Sequence, residues 1–266
     1  RMDTSMQFRI VTDVTTARRT VLRRKPPEEI VLPEAMRAVN RALFGADLEV
    51  EQIVARIVAR IRCEGDAALR LFSETYDRTV PESFEVPAAE VAAARERVPA
   101  PVLAAMEHAA RRIRAFHEKT VPRSWLDFED GGAVGQIFHP IERVGIHVPG
   151  WSAPLPSSLL MAAIPARVAG VREIVLVSPP RNGEIAPMTL AAASVAGVDR
   201  VFRVGGAQAI AALAYGTESI PRVDKIVGPG NIFVTLAKKH VFGDVGIDQL
   251  AGPTETLIIA DETARP

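Results

Sequence analysis

Asp224–Thr256 reads DKIVGPGNIFVTLAKKHVFGDVGIDQLAGPTET. It opens on a short apolar run, Lys225-Ile226-Val227. It then passes through a Gly-Pro-Gly-Asn turn at Gly228–Asn231 and continues in a helical pattern from Ile232 to about Val241. Strand, glycine turn, helix is the grammar of an α/β ligand site. The first N–H groups of such a helix have no intrahelical acceptor and face whatever sits above the strand end. They suit an anion or a polarised group. Glycine lets a ligand approach the backbone closely. Asn231 is placed to cap the helix or to turn its amide to the ligand. An isolated GPGN turn serves equally as a plain tight turn, so the neighbouring sequence decides.

The same grammar recurs upstream. Strand candidates are Val144–Val148, Glu173–Val177, Arg200–Val204 and Lys225–Val227; helix candidates between them are Ser157–Ala169, Ala186–Ala196 and Ala207–Tyr215. The strands return about every 25 to 30 residues, the length of a βα unit. Short Val/Ile strands alternating with alanine-rich helices predict a parallel sheet covered on both faces. Ligands bind such sheets at the C-terminal ends of the strands. Three glycine-bearing turns fall there: His147-Val148-Pro149-Gly150-Trp151-Ser152, Gly205-Gly206-Ala207-Gln208 and Gly228-Pro229-Gly230-Asn231. None is the G-x-G-x-x-G fingerprint, so this is a nucleotide-type fold without the usual pyrophosphate loop.

The chain before this sheet is different. Residues 1–32 form a basic, irregular arm with Arg18-Arg19 and Arg23-Arg24-Lys25, read as solvated or subunit-wrapping. Residues 33–120 are helical. Val50, Ile53, Val54, Ile57, Val58 and Ile61 make one apolar stripe. Asp47 is placed to cap that helix and Gly65 to end it. A helix from Asp66 to about Tyr76, an extended link through Phe84-Glu85-Val86, and helices over Ala88–Arg97 and Pro101–Lys119 follow. His108 and His117 have no partner at metal-ligand spacing and read as scaffold. Cys63, late in a helix, reads as a structural thiol.

Composition excludes several function classes. Of 266 residues, Lys plus Arg number 32 and Asp plus Glu 32, so the net charge is zero. That argues against an electrostatic nucleic-acid binder. No apolar run is long enough to span a bilayer, and RMDTSMQFRIVTD holds no signal core, so secretion is not expected. The single cysteine fits a reducing compartment. The sequence stops at Pro266 straight after an apparent strand, Thr256–Ala260, and is expected to be truncated relative to a longer relative.

On three segments the chain resembles histidinol dehydrogenase: RVGIHVPGWSAPLPSSLLMAAIPARVAGV (Arg143–Val171), RVGGAQAIAALAYGTESIPRVDKIVGPGNIFVTLAKKHV (Arg203–Val241) and IDQLAGPTETLIIAD (Ile247–Asp261). The helical first half also fits in order, down to Phe116-His117-Glu118. The resemblance implies an α/β fold, with a helical N-terminal region followed by Rossmann-like parallel-sheet domains. Residues 33–146 would begin domain one, 147–254 would form an inserted NAD-side domain, and 255–266 would start the return. It implies a cytoplasmic homodimer that oxidises L-histidinol to L-histidine through L-histidinal, using NAD and a bound zinc, at the end of histidine biosynthesis.

By the same resemblance, cofactor contacts are expected at His147, Gln208 and Asn231, and a substrate contact at Thr254. The family usually carries tyrosine where His147 stands and glycine where Trp151 stands. Its zinc ligands and catalytic Glu-His pair are expected beyond Pro266, so neither metal ligands nor catalytic bases are assigned within the chain. The chain alone is therefore expected to be inactive. Gln136-x-x-His139 copies a ligand spacing but lies in an extended segment, and Glu107-His108 copies the catalytic dipeptide without its surroundings. Two alternatives stand beside this reading. One is a short paralogue that binds a nucleotide or partner without redox chemistry. The other is a relative with the same zinc and NAD machinery and another alcohol substrate.

Overall fold

The computed structural model describes residues 10–23, 32–150, 154–250, 258 and 261–263. The chain divides into two compact units, Arg1–Glu51 and Gln52–Pro266. In the first, Asp13 caps α1 (Val14–Arg19) by accepting from the Thr16 N–H at 2.6 Å. Helix α2 (Glu34–Phe44) ends at Gly45 in the left-handed region, φ 71°. Asp47 does not cap the next helix as its position predicts. Its carboxylate is bound by the Arg37 guanidinium (Nε to Oδ1, 3.2 Å), with Arg41 beside it, and the helix starts only at Val50. A bidentate arginine outcompetes a backbone N–H for a carboxylate.

The second unit begins inside α3 (Val50–Glu64). The predicted stripe is buried: Ile53, Val54 and Ile61 are fully covered, and Ile57 and Val58 nearly so. Cys63 lies exposed on this helix. The Gly65 N–H closes the helix on the Ile61 carbonyl at 3.0 Å, and the same residue precedes α4 (Asp66–Phe72). The helix expected to reach Tyr76 instead ends in a π-helical turn over Ser73–Asp77. Helices α5 (Ala88–Ala93) and α6 (Ala100–His117) follow. An antiparallel ribbon of β1 (Trp125–Glu129) and β2 (Gly132–Gln136) comes next. Its two-residue turn, Asp130-Gly131, has both φ positive (47° and 78°), the primed turn that suits a twisted hairpin. Gln136 is thus in a strand, and the Gln136/His139 pair is not helical.

Five parallel strands form the sheet: β3 (Arg143–His147), β4 (Glu173–Ser178), β5 (Arg200–Arg203), β6 (Lys225–Val227) and β7 (Gly246–Ile247), in the order β5-β4-β3-β6-β7. All four strands foreseen are present, each within a residue or two of its expected bounds. The intervening helices are α7 (Pro156–Val168), α8 (Pro187–Ala196), α9 (Gly206–Tyr215) and α10 (Ile232–Val241). Strand side chains alternate between faces. Val144 and Ile146 of β3, Val148 just after it, Ile174 and Leu176 of β4, and Val201 of β5 share one apolar cluster with Leu160 and Ile164 of α7 and Leu190 of α8. Helix α9 packs on β3 and β6, with α10 against it. The extended link Phe84–Val86 pairs antiparallel with the outer edge of β5. The Val86 N–H donates to Val201 O and the Arg203 N–H to Phe84 O, both at 2.8 Å. Arg200 binds the Glu85 carboxylate twice across that seam, at 2.8 and 2.7 Å.

Candidate ligand rim at the sheet switch point

The strand order fixes where a ligand can sit. From β3 the chain crosses outward through β4 to β5, then returns to lay β6 on the other side of β3. The loops leaving β3 and β6 therefore run toward opposite faces and open a crevice at their C-terminal ends. The turns bounding it are Val148-Pro149-Gly150 and Gly228–Asn231. Position 147, where the resemblance starts the inserted domain, is the last residue of β3.

The Gly228–Asn231 turn is held by an ion pair of which Lys238 is buried and Asp248 exposed. The Gly228 N–H donates to Asp248 Oδ2 at 2.8 Å, and its carbonyl accepts from Lys238 Nζ at 2.6 Å. Lys238 Nζ also donates to Asp248 Oδ1 at 2.7 Å, and its side chain is 2% exposed. Lysine is almost never so buried unless paired. Gly228 has φ +111°, and a Cβ there would lie 2.2 Å from the His147 carbonyl oxygen, so the turn abuts the end of β3 directly.

His147 joins the same assembly. Its Nδ1 is 2.8 Å from the Pro229 carbonyl, an acceptor only, so Nδ1 carries the proton and Nε2 does not. Nε2 is buried and without a hydrogen-bond partner. Burial lowers the imidazole pKa from 6.5 to about 4; the hydrogen bond to Pro229 opposes this and the Lys238 cation adds to it. The sequence puts His147 on an open rim, whereas the structure places its ring beneath the turn, 2% exposed.

Asn231 is exposed and caps α10, its Oδ1 accepting from the N–H groups of Phe233 and Val234 at 3.1 and 3.2 Å. That leaves its amide N–H groups as donors for a ligand. As a cap alone, Asn231→Ala should destabilise the chain by about 1 kcal/mol in urea unfolding. Gln208, in the first turn of α9, is buried at 3%, its Oε1 folded back to 2.8 Å from where a Gly206 Cβ would sit. Gly205 gives α9 no side-chain cap. At the end of β4, Ser178 Oγ is buried and unpartnered. Thr254 and Trp151 lie outside the described residues.

Of these groups, His147 and the Gly228–Asn231 turn are brought together, while Gln208 stands across β4 at the end of β5. A groove of about 970 Å³ runs along α7 and β6 and reaches Gly228, Pro229 and Asp248. His117 and His139 line it, yet among the described residues no group of three or more His, Cys, Asp and Glu side chains gathers as metal ligands. Sequence reasoning missed Lys238 and Asp248. The signal was present: Lys238 follows Val234 by four residues and precedes Val241 by three, so it falls on the buried stripe of α10 and requires a partner.

Known proteins share this sequence pattern and fold. The family model described as "Histidinol dehydrogenase" matches residues 42–266. Histidinol dehydrogenase of Deinococcus radiodurans is 50% identical over 240 residues, covering 90% of this chain and 54% of that protein. That of Aquifex aeolicus is 54% identical over 220 residues, covering 82% of this chain and 51% of that protein. The crystal structure of histidinol dehydrogenase from Elizabethkingia anophelis superposes with a TM-score of 0.77 at 37% identity, covering 83% of this chain and 52% of that one. The chain spans about half the length of the curated relatives it matches.

Proposed function

The chain belongs to the histidinol dehydrogenase family, and from that membership we propose that the protein serves the oxidation of L-histidinol to L-histidine through L-histidinal in histidine biosynthesis, this chain supplying the NAD-side rim. The observation that carries the reading is the switch point, where the turns after β3 and β6 meet over a glycine backbone and an N-capping amide. NAD accepts the hydride when bound. The chain's own residues then bind and orient it. The Asn231 amide donates to an acceptor group of the cofactor, the uncapped start of α9 with Gln208 faces the far end of the rim, and Gly228 keeps the turn free of side-chain bulk. Thr254 is assigned to the substrate hydroxyl contact. Among the described residues no group of three or more His, Cys, Asp and Glu side chains gathers to hold a zinc. A cytoplasmic location and a homodimer complete the proposal. No described helix is long and apolar enough to cross a membrane.

Calorimetric titration of NAD into the 266-residue chain tests the rim, with Asn231→Asp as the probe. Aspartate still caps α10, so thermal stability should stay within about 0.5 kcal/mol. It removes the amide donors and adds a negative charge, so NAD affinity should fall at least ~10-fold. Equal affinity for both forms would remove Asn231 from the site. Absence of NAD binding by the parent would sink the rim reading.

A further inference from the structure

We infer that Lys238 and Asp248 are positioning residues for the cofactor turn: an ion pair between a buried lysine and a more exposed aspartate that grips both sides of Gly228 and so holds Gly228–Asn231 in the shape that receives NAD. The inference rests on the NAD reading above.

The geometry carries it. A single carboxylate reaches the Gly228 N–H with one oxygen and the Lys238 ammonium with the other, and the ammonium returns to the Gly228 carbonyl. Both hydrogen-bonding groups of this glycine are therefore spoken for, from two different elements. Lys238 comes from the last turn of α10, and Asp248 follows the last residue of β7. The next carbonyl along, Pro229 O, is fixed by His147 Nδ1 from β3. Three elements thus determine the peptide planes of a turn that has no pairing within the sheet ladder. Asn231 stands two residues on from Pro229, so the clamp sets where the start of α10 and its capping amide are presented.

The pair is not needed simply to fill space. A buried helix position such as 238 is ordinarily occupied by leucine or methionine, which fill the space without needing a charged partner. What apolar side chains cannot do is hold a peptide unit in orientation. That separates positioning from support, and the separation is measurable.

The test compares the parent with Lys238→Met/Asp248→Leu and with Asp248→Asn in the 266-residue chain, reading thermal midpoint and NAD affinity by calorimetry on each. The double variant is expected to melt close to the parent and to bind NAD at least ~10-fold more weakly, because the turn must be ordered on binding. Asp248→Asn keeps one acceptor where two are used, and is expected to lose a smaller factor, about threefold; it carries the test if the double variant does not fold. A residue that merely supports the fold would move the midpoint and leave the affinity of the folded fraction alone. NAD affinity within twofold of the parent in the folded variants would overturn the inference while leaving the rim reading intact. A parent that fails to bind NAD would overturn both.

Discussion

Gly228→Ala is expected to cost at least about 4 kcal/mol, the range reserved for a backbone that cannot be accommodated. Two penalties act together. The residue sits at φ +111°, where an L side chain is strained. Its Cβ would also lie 2.2 Å from the His147 carbonyl oxygen, and 3.1 and 3.2 Å from the carbonyl carbon and amide nitrogen of the same residue. No rotamer relieves contact with a backbone. His147 cannot retreat, because it is paired in register with Val177 of β4. Gly243→Ala is the matched control: φ is +106° there, with nothing within 4 Å of the added carbon. That variant should show the conformational penalty alone, about 1 kcal/mol. Urea unfolding of the two variants against the parent measures the difference. Similar, small losses in both would mean that the turn does not bear on β3.

The second large effect is on pH. Burial holds the His147 ring neutral in the folded chain, with a pKa of about 4 against 6.5 for a free imidazole. As pH falls, the unfolded chain takes up that proton first, so protonation favours unfolding. The stability tied to the neutral ring is therefore full above about pH 6.5 and drains away between there and about pH 4. The gap corresponds to about 3 kcal/mol. His147→Gln has no proton to take up. The stability of the parent minus that of this variant should fall by that amount from pH 7 to pH 4, measured by urea unfolding at matched ionic strength. A difference that stays level with pH would mean that the ring is hydrated or already charged in the folded state.

Much of this was legible in the sequence because it rests on local pattern. Val and Ile runs bounded by glycine turns announce buried parallel strands, and the bounds of α10 follow from Asn231 and the apolar spacing after it. What was lost depended on competition or on long range. Asp47 looks like a cap until Arg37 and Arg41 are seen to bind it. The β1–β2 ribbon was overlooked although Asp130-Gly131 is a hairpin dipeptide, because the preceding strand, Trp125–Glu129, mixes apolar and acidic residues and is exposed throughout. The resemblance marked His147, Gln208 and Asn231 as a set, but the residues that hold the turn, Lys238 and Asp248, lie ten and twenty positions beyond Gly228. Their meeting is a property of the folded sheet, which no local window contains.

The short pairing of Phe84–Val86 along β5 has a consequence for assembly. It occupies the hydrogen-bonding groups of one margin of the sheet and reinforces them with the Arg200–Glu85 seam. A sheet with both margins open can recruit copies in either direction and grow without limit. Here the β5 groups that pair with residues 84–86 are no longer open to an added strand, so this segment, read from the sequence as a connecting link, also guards β5 against edge pairing.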